Sequence, residues 1–166
     1  MNTPQIFLSH AGEDADLAKR IVARLERDVL TNYGPVRLFN TSAPENRFRD
    51  FEDYVAAGEE FRPEEWEEEL RAYLKQHIHS SAAYVLLVTP QSLSKRSKWI
   101  EFEIDTAYDE QQDGRIGFVP CAANGASLAD LPAKAEAFQG VNLSEAQGFQ
   151  RSTGITNSCW ARYFGS

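Results

Sequence analysis

Ala82-Ala83-Tyr84-Val85-Leu86-Leu87-Val88 is an unbroken apolar run closed by Pro90, and it narrows the choice of fold more than any other stretch. A strand with one wet face alternates apolar and polar residues, whereas one without alternation is buried on both faces, as central strands of parallel sheets are. The run has the length of a strand and falls far short of the ~20 residues that span a bilayer.

Elements of alternating type surround it. Gln5-Ile6-Phe7-Leu8 reads as a strand that stops at the turn-like Ser9-His10-Ala11-Gly12. A helix is expected from about Glu13 or Asp14, with Leu17, Ile21, Val22, Leu25 and Val29 on one face, ending before Tyr33-Gly34-Pro35. Val36-Arg37-Leu38-Phe39 is a second strand, and Asn40 opens a long loop in which Phe48, Phe51, Tyr54 and Val55 are spaced for a short helix. Pro63-Glu64-Glu65 starts a helix to about Ser80. Ile116 to Pro120 is a further strand, followed by a loop over Ala122 to Ala126, a weak helix from Leu128 to Ala137 and a short run at Val141-Asn142-Leu143. Such alternation implies an α/β fold: an open, mostly parallel sheet with helices on both faces.

At 166 residues the chain is expected to be a single domain, residues 1–166, with a core at about 4–144 and a C-terminal extension at 145–166 that ends in the aromatic tail Trp160 to Phe164. Acids outnumber bases 25 to 17, for a net charge of -8, which argues against direct binding of nucleic acid. Neither a basic leader nor a membrane segment precedes the first strand, and Cys121 and Cys159 read as reduced thiols, so a soluble cytoplasmic protein is expected.

Ser97-Lys98-Trp99-Ile100-Glu101-Phe102-Glu103 begins the helix after the central strand. Ile100, Ile104, Ala107 and Tyr108 form its buried stripe. Trp99 and Glu103, four apart, share an edge beside that stripe, where a carboxylate is half-desolvated, while Glu101 points elsewhere. In open parallel sheets ligands bind beyond the carboxyl ends of the strands. Ser9-His10, Asn40-Thr41 and Thr89-Pro90 all fall at that edge.

The succession Ile6-Phe7-Leu8-Ser9-His10 with Glu13-Asp14, Val36 to Phe39, Tyr84 to Pro90 and Ser97-x-Trp99-x-x-x-Glu103 resembles the TIR (Toll/interleukin-receptor) domain. The resemblance covers about Pro4 to Ser144 and implies a flavodoxin-like fold. In the NAD-cleaving branch it implies a glycohydrolase that breaks the nicotinamide–ribose bond, with Glu103 catalytic, to give nicotinamide and ADP-ribose or a cyclic ADP-ribose signal in immune defence. Ser9, His10 and Asn40 would contact substrate and Trp99 would shape the wall. NAD is then a consumed substrate and no cofactor is implied, in keeping with the lack of a G-x-G-x-x-G clamp.

Ser9 and His10 read equally as a capping serine and a solvent-facing histidine, and Arg47 and Arg49 as phosphate partners or solvated charges. The amides opening the first helix are a possible anion seat. Two departures from the family pattern are a longer segment from Asn40 to Arg62 and Asn40 itself, where the family often has an acid. That segment reads as a lid or a partner surface. The alternative to an enzyme is a non-catalytic module that self-associates with other TIR domains. His77 and His79 diverge on their helix, so no metal site is expected from them, and Thr89-Pro90 stand where a phospho-receiver needs an aspartate.

Overall fold

The computed structural model describes residues 4–33, 36–40, 43–94, 98–127, 129, 131–138 and 141–142. Five parallel strands form one sheet in the order β2-β1-β3-β4-β5: β1 Gln5–Ser9, β2 Arg37–Asn40, β3 Ala83–Val88, β4 Gly117–Ala122 and β5 Val141–Asn142. Helices α1 (Ala15–Tyr33), α2 (Phe51–Ala57), α3 (Pro63–His79), α4 (Pro90–Ser94) and α5 (Lys98–Gln112) connect them. This is the flavodoxin-like α/β arrangement expected, with the central strand buried along its whole length.

Strand alternation divides the core in two. Ile6, Leu8, Leu38, Val85 and Leu87 face Ala18 and Ile21 of α1. On the other face Phe7, Phe39, Tyr84, Leu86 and Phe118 meet Leu74 and Ile78 of α3 and Ile100, Ile104 and Ala107 of α5.

Several elements differ from the sequence reading. A 3-10 turn over Gly12–Asp14 precedes α1, so the α-helix proper starts at Ala15. Pro90 does more than end β3: Thr89 and Ser92 exchange backbone-to-side-chain hydrogen bonds of 2.9 and 3.1 Å, and this pair caps the short α4. β4 runs through Cys121, which is buried inside the strand. The α-helix expected from Leu128 to Ala137 is absent from the described part of that stretch, which holds 3-10 geometry at Ala129 and a 3-10 turn at Ala135–Ala137. Pro132 is the reason, since it lacks an amide proton and disfavours helix at the residue before it. Leu143, Ser144 and the extension at 145–166, with Cys159 and Trp160 to Phe164, lie outside the described residues, as do Thr41 and Ser97.

The segment after β2 is folded. The Asp50 and Asp53 carboxylates cap α2 reciprocally, and Gly58 closes it with φ 71°, a left-handed conformation suited to glycine. The segment is fastened to α3 by Tyr73, whose hydroxyl donates to the Asn46 carbonyl at 2.7 Å, and by Trp66, whose Nε1–H donates to the Arg49 carbonyl at 2.6 Å.

Candidate functional site

Ser9 ends β1 and Glu103 lies one turn into α5. The Ser9 hydroxyl donates to Glu103 Oε2 at 3.1 Å. Ser9 is 2 % exposed and Glu103 5 %, so the carboxyl is sealed more completely than a position beside the helix stripe suggests. Burial pushes its pKa up from 4.5 to about 8, and the Ser9 hydrogen bond offsets part of that rise. Near neutral pH the group is therefore mostly a neutral acid.

Tyr84, which sequence reasoning did not single out, completes this cluster. Its ring packs between Phe7 and Phe118 at 5.7 and 5.0 Å, and its hydroxyl lies beside Ser9 and within electrostatic reach of Glu103. Burial, then the Glu103 charge, drives the phenol pKa well up. The one available signal was its being the only hydroxyl in the apolar run Ala82 to Val88.

His10 and Asn40 form a second pair. His10 Nδ1 contacts the Ala11 carbonyl oxygen and Nε2 contacts Asn40 Oδ1, both at 2.6 Å. Both ring nitrogens are thus engaged and the ring's orientation is fixed. His10 is buried, not solvent-facing, and the Ser9 hydroxyl goes to Glu103 of α5 and not to the cap of the turn that follows it. Asn40 follows Leu38 on the α1 face and lines a cavity of about 340 Å³ with Asp16, Lys19, Val22, Glu26 and Leu38. Ser9 belongs to the opposite face with Phe7. The strand tips therefore hold two pairs, Ser9–Glu103 on the α5 side and His10–Asn40 on the α1 side, joined through the adjacent residues Ser9 and His10.

Asp14 and Thr89 brace the edge. Asp14 is buried at the end of the 3-10 turn before α1, and the Thr89 hydroxyl donates to its Oδ2 at 2.6 Å. This ties the chain leaving β1 to the chain leaving β3.

Trp99 turns toward α3. Its ring meets Trp66 edge-on at 6.2 Å, with Arg71 and Lys98 over its faces at 5.8 and 5.1 Å. Arg47 is held by Asp50 and Asp53, and Arg49 by Glu59 and the Tyr54 ring. The two histidines of α3 diverge: His77 stacks on Phe39 at 4.0 Å, and His79 contacts Glu110 at 2.9 Å. Among the described residues no cluster suits a metal ion, and no helix is long and apolar enough to cross a membrane.

A five-stranded parallel sheet in this order, with an acid from the helix after β3 set against the end of β1, has the architecture of a TIR domain. Residues 7–123 match the family model for the TIR-like domain of the Thoeris protein ThsB, and the chain belongs to that family. Among solved structures, a metazoan TIR-STING receptor from C. gigas in complex with 2',3'-cGAMP is similar at TM-score 0.57 and 20 % identity, covering 99 % of this chain and 47 % of that one. A second structure of the C. gigas receptor gives 0.54 and 19 %, covering 99 % and 48 %. The chain thus spans about half the length of these structures, and at such identity they share its fold alone. Comparison with curated proteins finds no match.

Proposed function

We propose that this chain is an NAD glycohydrolase of the TIR class acting in defence signalling, with Glu103 as its catalytic carboxylate. The observation carrying this reading is the buried Ser9–Glu103 hydrogen bond at the carboxyl edge of the sheet. Family membership supports the signalling context.

The chemistry suits a single carboxyl group. The nicotinamide of NAD is a cation, so when the C1'–N bond breaks the electron pair passes to the ring nitrogen and nicotinamide leaves neutral. No acid has to protonate the leaving group, unlike the two-carboxyl arrangement of ordinary glycosidases. Positive charge grows on the ribosyl carbon, and an ionised Glu103 opposes it in a dry site where such attraction is strong. Water captures the cation, losing a proton, to give ADP-ribose; a nucleophile of the same ADP-ribose gives a cyclic product.

A neutral Glu103 is consistent with this role. The cationic ring favours the carboxylate form by Coulomb attraction, so substrate binding to the opened site releases the proton to solvent water and creates the charge where it is needed. His10 and Asn40, on the other side of the strand tips, are assigned to the remaining part of the dinucleotide. Trp99 holds the wall through α3.

Incubation with NAD and chromatography of the products, for the wild type and Glu103→Ala, tests the reading. Nicotinamide release by the wild type and its loss in the variant are expected; equal release by both removes Glu103 from the role. A second reading, a non-catalytic module that assembles with other TIR domains, draws on Phe51 and Val55. These apolar residues of α2 are 56 % and 61 % exposed within the long segment after β2. Assembly itself belongs to either reading, because the closed Glu103 site has to open for turnover and we assign that opening to assembly. Light scattering with and without NAD separates an unassembled enzyme from an adaptor that never cleaves.

A further inference from the structure

Tyr84 carries the one buried side-chain polar atom that lacks a hydrogen-bond partner among the described residues, its hydroxyl. The residue is wholly buried. Unpaired buried hydroxyls are disfavoured, and phenylalanine would fill the same space between Phe7 and Phe118 without one. Packing alone thus gives no reason for the oxygen, and its position beside Ser9 and Glu103 does.

The neutral and ionised forms of Glu103 make different demands. Ser9 already donates one hydrogen bond to Oε2. A carboxylate has capacity for several more and gains most from donors when it is charged and dry. From α3 the apolar side chains of the same core are Leu70, Leu74 and Ile78, Tyr73 turns to Phe39 and Phe48, and Arg71 is directed to the Trp99 ring. On α5 itself Lys98 pairs with Glu67, and Asp105 pairs with Lys134. Leu93 of α4 and Phe118 of β4 contribute apolar surface. Burial raises the Glu103 titration and the Ser9 hydrogen bond lowers it.

We propose that Tyr84 is a positioning residue for Glu103: its hydroxyl, unpartnered in the resting chain, donates to the Glu103 carboxylate when the cationic ring of the dinucleotide ionises it. This rests on the NAD reading above for the ionising charge. The hydroxyl is then a donor held in reserve, whose cost in the resting state is recovered when charge develops. Ser9 and Tyr84 together supply two hydrogen bonds to one carboxylate from adjacent strands.

The test reads Glu103 directly, without turnover. In ligand-free protein labelled with carboxyl-13C glutamate, the Glu103 resonance is assigned by its loss in Glu103→Gln and followed through a pH titration. Tyr84→Phe is expected to raise the Glu103 midpoint by about one pH unit, the effect of removing one hydrogen bond to a charged group. The kcat/KM profile for NAD moves up by the same interval, and the melting temperature is equal or higher because an orphan hydroxyl is gone. 3-Fluorotyrosine at position 84, a stronger donor in an unchanged fold, moves the midpoint down. A midpoint unmoved in both proteins overturns the inference whatever turnover does. If the midpoints move while the wild type fails to cleave NAD, the substrate reading falls and the Tyr84–Glu103 coupling stands.

Discussion

Ser9 and Glu103, 94 residues apart in the chain, meet in a buried hydrogen bond of 3.1 Å that links the end of β1 to α5. The bond joins a neutral donor to a group whose charge state is set by burial, so stability and reactivity both depend on pH through one carboxyl.

Stability should fall as pH rises from about 4.5 to 8. Glu103 titrates near 8 in the folded chain against 4.5 when unfolded, so across that interval the native state binds more protons. Unfolding then becomes easier with rising pH until both forms are ionised. At about 1.4 kcal/mol per unit the loss is on the order of 5 kcal/mol. Glu103→Gln keeps a polar group for Ser9 and never ionises, so its thermal unfolding should lack this loss. The variant should match the wild type near pH 5 and exceed it at pH 9. Parallel melting curves for the two across that range would show that Glu103 does not titrate as described.

Turnover should show the opposite trend. The free protein has to lose the Glu103 proton before or as NAD binds, so kcat/KM for NAD rises with pH toward about 8. Once the cationic ring is in place the carboxylate is favoured, so the kcat profile should rise at lower pH than the kcat/KM profile. Initial rates at several NAD concentrations between pH 5.5 and 9 measure both. Superimposed profiles would mean that the ring does not ionise Glu103.

Much of this arrangement was legible in the sequence because it follows from short-range periodicity. The unbroken run Ala82 to Val88 placed the central strand, and the order of strands and helices placed Ser9, Asn40 and Thr89 at one edge. The four-residue spacing of Trp99 and Glu103 put them on one side of α5. Less visible was anything that depends on how helices close over the sheet. The depth of Glu103 comes from α5 packing onto Phe7, Tyr84 and Phe118, contacts that span most of the chain. Tyr84 was hidden by its apolar neighbours, and Asp14, which resembles a helix-dipole acid in sequence, turns inward to Thr89. The segment after β2 looked like a loop because its order depends on Tyr73 and Trp66, residues of the next helix.

Trp99→Ala should loosen α3 from α5 more than it disturbs the carboxyl. The Trp66 edge contact and the two cations over the ring are lost together. Truncating a large, partly buried aromatic of this kind costs about 2–3 kcal/mol. Trp99→Phe should restore most of it, being aromatic and apolar. Urea denaturation of both variants tests the packing role. If Trp99→Phe unfolds normally and yet loses turnover as completely as Glu103→Ala, the indole has a direct part in the chemistry.

Thr89→Val should be among the more damaging single substitutions away from Glu103, since one hydroxyl serves two structures. It donates to buried Asp14 at 2.6 Å and accepts from the Ser92 amide at the start of α4. Valine fills the space but leaves the Asp14 side chain and an α4 amide without that partner, and stranding a buried acceptor costs the desolvation already incurred. About 3 kcal/mol is expected for Thr89→Val, under about 1 for Thr89→Ser, which keeps both bonds, and about 1 for Asp14→Asn, which keeps an acceptor of similar shape. Combining Thr89→Val with Asp14→Asn should cost clearly less than the separate losses added together, because stranding an amide oxygen costs less than stranding a carboxyl group. Denaturant midpoints for the four proteins give the coupling, and a strictly additive result would mean that the 2.6 Å contact contributes nothing to holding the ends of β1 and β3 together.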